Sequence, residues 1–80
     1  MPRVEFGLPV LGHTMEEAVI VRWDKEPGDR VSQGEPLAEV ETDKVTVPLE
    51  SPVTGVLVEC RAEEGQTCAV GEVIAVFETD

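Results

Sequence analysis

TMEEAVIVRWDKEPGDRVSQGEPLAEVETD, residues Thr14–Asp43, has a partner 37 positions further on: SPVTGVLVECRAEEGQTCAVGEVIAVFETD, residues Ser51–Asp80. Ten of the thirty aligned positions are identical. Gly28 meets Gly65 and Gly34 meets Gly71, Val19 and Val21 meet Val56 and Val58, and Glu41-Thr42-Asp43 meets Glu78-Thr79-Asp80. The segments that precede the two copies match more loosely, LPVLGH (Leu8–His13) lying over VTVPLE (Val45–Glu50). Repetition at such a period can signal a solenoid, but two copies are too few for an array. The expected organisation is one domain over residues 1–80, built from two similar halves at roughly 8–43 and 45–80 and related by a pseudo-two-fold axis.

Each half reads as β. AVIVRW and GVLVEC are β-branched, apolar and patterned with period two. Glu26-Pro27-Gly28-Asp29 suits a turn with proline second and glycine third, and Glu63-Glu64-Gly65-Gln66 takes its place in the second copy. Gly34 and Gly71 mark second bends, after which PLAEVET and VIAVFET each supply a further strand. In the first of these, Ala38, Val40 and Thr42 alternate with Leu37, Glu39 and Glu41, which puts acids on one face. Thr14 and Glu17 have the spacing of a helix capping box, but the β-branched run that follows argues for a strand. About eight short strands, four per half, predict an all-β fold of two packed antiparallel sheets or a flattened barrel. Phe6, Trp23 and Phe77 are expected in its core.

Composition excludes several functions. Seventeen acidic residues oppose six basic ones, a net charge of −11 that repels phosphate backbones, so nucleic acid is not an expected partner. No apolar run approaches a spanning length, and MPRVEFGLPV lacks the layout of a signal peptide. Cys60, Cys68 and the single His13 are too few for a four-ligand zinc site, so no metal is expected. The two cysteines read as reduced, small apolar filler, with a bridge open to them only if they face each other across a hairpin. No Ser/His or Cys/His arrangement with an orienting third residue is present, so a stand-alone enzyme is rejected.

ETDKVTVP, Glu41–Pro48, sits at the junction of the halves. Val45, Val47 and Leu49 resume the alternation, so Asp43-Lys44 falls between two strands as a hairpin turn. Pro48 then implies an edge strand or a bulge. Beside Asp43 and Glu41, Lys44 has no pocket to depress its pKa, which argues against a Schiff-base or general-base role. Chemistry at Lys44 would be attachment, at a position that a modifying enzyme can reach.

Glu41-Thr42-Asp43-Lys44-Val45 resembles the lipoylation motif of lipoyl domains from the E2 acyltransferases of 2-oxo acid dehydrogenase complexes. The likeness covers nearly the whole chain. LPVLGHTMEEAVIVRW looks like the family's N-terminal strand, loop and second strand, and EPGDRVSQGEPLAEVETDKV and SPVTGVLVE…EEGQTCAVGEVIAVF look like the rest. The resemblance implies a flattened barrel of two four-stranded antiparallel sheets with pseudo-two-fold symmetry. It also implies lipoate in amide linkage on Lys44, and a non-catalytic carrier domain. Its partners would be a thiamin-diphosphate E1 dehydrogenase, the E2 acyltransferase core with coenzyme A, the E3 dihydrolipoyl dehydrogenase and a lipoate-attaching enzyme, the isolated domain being a monomer. Asp43 would shape the turn, and Glu41 with Glu39 would offer an exposed face to partners. Thr42 and Val45 would pack the hairpin. The family's loop beside the lysine corresponds to Leu11–Glu16, which makes His13, Thr14 and Met15 candidates for partner contact.

A biotin carrier shares the fold, but its lysine normally sits between methionines, where this chain has Asp43 and Val45. The lipoylated glycine-cleavage H protein is longer and differs around its lysine. HTMEE resembles the loop of pyruvate- and acetoin-type domains, while VTVPLESPVTGVL is also similar to stretches of 2-oxoglutarate and branched-chain types. Pyruvate or acetoin is the expected substrate, ahead of 2-oxoglutarate and branched-chain 2-oxo acids. The chain is expected to be a piece of a longer E2. A start at Met1 without a transit segment suits a bacterial cytoplasm, with a mitochondrial matrix as the alternative.

Overall fold

Period-two patterning and glycine turns yield eight strands among the described residues. The computed structural model describes residues 2–10, 16–42 and 45–79. Its strands are β1 (Arg3–Gly7), β2 (Glu17–Trp23), β3 (Arg30–Val31), β4 (Pro36–Glu41), β5 (Thr46–Glu50), β6 (Gly55–Cys60), β7 (Thr67–Ala69) and β8 (Val73–Thr79). There is no helix among the described residues; Glu17, the second residue of the capping-box spacing, opens β2, and Thr14 lies outside the described residues. The strands form two antiparallel four-stranded sheets, ordered β1-β8-β6-β3 and β5-β4-β2-β7. β5 is an edge strand, paired with β4 alone among the described strands, and an edge is where a sheet tolerates a proline such as Pro48.

Exchanging β1 with β5, β8 with β4, β6 with β2 and β3 with β7 turns one sheet order into the other. The dyad extends to single hydrogen bonds. The Gly28 N–H donates to the Leu57 carbonyl at 2.7 Å, and the Gly65 N–H to the Ile20 carbonyl at 2.6 Å. Both glycines sit at the third position of their turns with φ of 99° and 88°, a conformation that costs glycine little and other residues much. The Leu8 N–H donates to Glu72 and the Ser51 N–H to Glu35, each at 2.8–2.9 Å. This last pair corrects the loose match of LPVLGH with VTVPLE. Leu8 is the counterpart of Ser51, not of Val45, and β1 lies upstream of Leu8 as the counterpart of β5. The two joining segments differ in length, since β1 and β2 are separated by 8–16 but β5 and β6 only by 51–54. That difference breaks the sequence register at the start of the first copy.

The core lies between the sheets. Phe77, Ile20, Leu37, Leu57, Ile74 and Val40 have no exposed surface. Phe6 and Trp23 are half-buried against this cluster, with the Phe6 and Phe77 rings 6.3 Å apart and tilted by 56°. The Trp23 indole N–H donates to the Ala62 carbonyl at 2.9 Å, so its polar end is satisfied as it packs. Cys60 lies in β6 of one sheet and Cys68 in β7 of the other; both thiols are free.

Candidate functional site

The β4–β5 ladder runs from Pro36–Glu50 to Glu41–Thr46. Beyond its last rung, the Thr42 N–H donates to the Val45 carbonyl at 2.8 Å. The Thr42 hydroxyl donates to that same carbonyl at 3.0 Å and accepts from the Val45 N–H at 3.2 Å. Two residues separate Thr42 from Val45 in the sequence, Asp43 and Lys44, and both lie outside the described residues. So do His13, Thr14 and Met15, the loop positions expected to contact a partner.

Strand pairings fix where this closure sits. Glu41 pairs with Val19 and Glu17 with Ala69, and the Val70 and Gly71 N–H groups donate to the Glu16 and Leu8 carbonyls. Thr42, Glu16, Glu17 and Leu8 therefore share one end of the molecule. At the other end, Pro36 pairs with Glu50, the Gly34 N–H donates to Ser51, Val31 pairs with Gly55 and Gly55 with Thr79. β4 connects the two ends, and its six residues span about 17 Å at the usual rise of a strand. At the far end the Thr79 N–H donates to the Pro2 carbonyl at 2.9 Å. Thr79 is the counterpart of Thr42, and Pro2 of Val45. The described ends of the chain thus meet opposite the Thr42–Val45 closure.

The flanking residues divide by role. Glu41 is exposed, whereas Glu39 is half-buried and accepts from the Arg22 guanidinium at 2.9 Å. Val45 is 56% exposed, more open than the hairpin packing expected of it. Its backbone, not its side chain, closes the hairpin. Beside Thr42 on the outer sheet face, Glu17, Ala18, Val19, Glu41, Thr42 and Thr67 line an open hollow of about 250 Å³. Val19 pairs with both Glu41 and Thr67, so three neighbouring strands build it. Of these residues, Val19 and Thr67 carry no sequence signal for this site, because only the pairings of β2 with β4 and with β7 bring them to Glu41.

Both thiols sit in surroundings that disfavour their ionised form. Burial pushes the Cys60 thiol up from its ordinary value. Burial does the same at Cys68, with the negative charge of Glu72 and a hydrogen bond to it adding to the effect. Among the described residues, no group of three or more His, Cys, Asp or Glu could hold a metal ion.

Known proteins match this arrangement. The biotin/lipoyl family model, described as "Biotin-requiring enzyme", matches residues 4–77. The lipoamide acyltransferase component of the branched-chain alpha-keto acid dehydrogenase complex of Bacillus subtilis is 45% identical over 76 residues, 95% of this chain and 18% of that protein. Component 2 of the mitochondrial pyruvate dehydrogenase complex acetyltransferase of Arabidopsis thaliana is 49% identical over 80 residues, 99% of this chain and 15% of that protein. The chain therefore spans less than a fifth of either acyltransferase. The solution structure of the lipoyl domain of the 2-oxoglutarate dehydrogenase complex from Azotobacter vinelandii superposes with a TM-score of 0.76 at 27% identity, covering 96% of this chain and 99% of that one. The chain belongs to the biotin/lipoyl attachment family and, within it, to the lipoyl domains of 2-oxo acid dehydrogenase E2 acyltransferases.

Proposed function

We propose that residues 1–80 work as one carrier domain with lipoate in amide linkage on Lys44. The observation that carries this reading is the hairpin closure. Thr42 and Val45 bond across the end of β4–β5, with Asp43-Lys44 between them in the sequence, opposite the end where Pro2 and Thr79 meet. The surroundings fit a long acylated arm. Glu41 and Val45 are exposed, and the hollow beside Thr42 is open. Attachment forms an amide between the lysine nitrogen and an activated lipoate carboxyl, with loss of the activating group and of the ammonium charge.

Once attached, the dithiolane supplies the chemistry, being reductively acylated by a thiamin-diphosphate E1, giving its acyl group to coenzyme A in the E2 core and being reoxidised by E3. The chain itself contributes presentation. A domain held by a tether at one end and carrying its arm at the other raises the arm's effective concentration at successive active sites, without catalysing a step. Its two thiols fit this role, because the thiolate is the species that exchanges with disulfides and both are kept protonated. The acidic surface presents Glu41 and its neighbours to the partner enzymes. The reading places the domain in a bacterial cytoplasm or a mitochondrial matrix.

Intact mass after incubation with a lipoate ligase or a biotin ligase, each with its own substrate, tests the assignment. A lipoyl adduct is expected on the wild type and on Lys25→Arg, and none on Lys44→Arg. Lipoylated Lys44→Arg, or a biotinyl adduct alone, overturns it. The similar proteins span branched-chain, pyruvate and 2-oxoglutarate complexes. Reductive acylation of the lipoylated domain by E1 enzymes of each kind, and by one that acts on acetoin, therefore reads the substrate, with pyruvate or acetoin expected to be fastest.

A further inference from the structure

We infer that Thr42 is a positioning residue for modification, its hydroxyl holding the two ends of the Asp43-Lys44 connection together so that the lysine is presented ready for the attaching enzyme. The inference rests on the lipoylation of Lys44 proposed above. Backbone pairing alone gives one bond across this closure, from the Thr42 N–H to the Val45 carbonyl at 2.8 Å. The Thr42 hydroxyl adds two more to the same residue, one to each of its backbone polar groups. The Val45 side chain itself packs little, with more than half its surface exposed. The dyad provides an internal comparison. Thr79, in the second Glu-Thr-Asp, also bonds its N–H across the closure, but its hydroxyl reaches the Pro2 carbonyl only at 3.5 Å, and proline has no N–H to offer in return. The full clamp is thus built where the lysine follows and not where the chain ends meet. A hairpin that visits its competent shape for only part of the time binds the attaching enzyme more weakly in proportion, with turnover unchanged once bound. The clamp is therefore read in KM and not in kcat.

The test compares lipoylation of the wild type, Thr42→Val, Thr42→Ser and Thr79→Val by a lipoate ligase with lipoate and ATP, following intact mass, alongside hydrogen exchange of the Val45 amide. Thr42→Val keeps the shape and removes the hydroxyl. It is expected to raise KM about three- to tenfold, the worth of one net hydrogen bond, with kcat unchanged and the Val45 amide exchanging faster. Thr42→Ser restores the hydroxyl and is expected within about twofold of the wild type, as is Thr79→Val. An unchanged KM for Thr42→Val, an equal rise for Thr79→Val, or failure of Thr42→Ser to rescue would each overturn the inference. A wild type that takes up no lipoate at all overturns the functional reading itself, a result distinct from any ranking of the variants.

Discussion

Cys60 occupies the dyad position of Trp23, each one placed after a bulge and turned toward the core. Cys68, in β7, has no exposed surface. Both thiols have raised pKa values in the fold, and the sign of the consequence follows. An unfolded cysteine ionises near pH 8.5, so above that pH the unfolded chain has lost protons that the folded chain still holds. Stability from these groups is then fully present below about pH 8.5 and is lost as pH rises through the folded values. Urea midpoints measured between about pH 8 and pH 10 should fall, and fall less steeply in the double variant Cys60→Ala/Cys68→Ala, although that variant starts out less stable. Parallel falls in the two proteins would remove the thiols from the explanation. Composition revealed that these cysteines are few and apolar in character. It did not reveal the Glu72 contact, which depends on a turn bringing residue 72 back to β7. Gly55 is a similar case. In sequence it looks like an ordinary weak spot in a strand, and its counterpart is Ala18. In the fold, a Cβ there would run into the Glu78 carbonyl oxygen and lie 3.1 Å from the Thr79 Cα. A glycine forced by a neighbouring backbone leaves no trace in its own sequence.

At the scale of elements, the strands were legible and their bulges were not. Strict alternation through AVIVRW puts Ala18, Ile20 and Arg22 on one face. The register shift between Ile20 and Arg22 inserts Val21 as an extra residue, leaving it 43% exposed and turning Trp23 inward instead of Arg22. The shift between Leu57 and Glu59 does the same for Cys60. A third, between Pro36 and Ala38, explains why Leu37 is fully buried although it shares its parity with the acids Glu39 and Glu41. Sequence periodicity counts residues, and a bulge is a place where the count and the ladder disagree. The consequence is an asymmetry between deletions. Removing Val21 leaves Ala18, Ile20 and Trp23 all facing inward on a regular strand. That variant is expected to fold with a loss of about 1–3 kcal/mol. Removing Val19 leaves no register that buries all three, and β2 is paired on both sides, so the loss should approach the whole stability of a small domain, about 5 kcal/mol. Amide-proton NMR dispersion and urea denaturation distinguish the two. A folded Val19 deletion beside an unfolded Val21 deletion would show that the bulge, and not the alternation, carries the strand.

At the scale of the whole molecule, the repeat in the sequence proves to be a dyad in the structure, and the dyad gives the two Glu-Thr-Asp copies their different settings. Thr42 bonds to Val45 and Thr79 bonds to Pro2. Asp43 and Lys44 lie between the first pair in the sequence. Joining the last residue to the first would leave two residues between the second pair as well, Asp80 and Met1. A peptide bond from Asp80 to Met1, with nothing inserted, should therefore close a connection of the same length as the one between Thr42 and Val45. Cyclisation takes conformational freedom from the unfolded chain and, for a loop of this size without strain, is expected to add about 2–4 kcal/mol. The melting temperature should rise by several degrees per kcal/mol, as for any domain this small. The control is a cyclic chain closed through six added glycines. It also links the ends, but its longer, freer loop loses part of the gain. The order expected from thermal melts is direct closure highest, glycine-linked next and linear lowest. If the glycine-linked ring were the more stable, Pro2 and Thr79 would be neighbours without hairpin geometry, and the dyad would end at the last strands instead of including the closure beyond them.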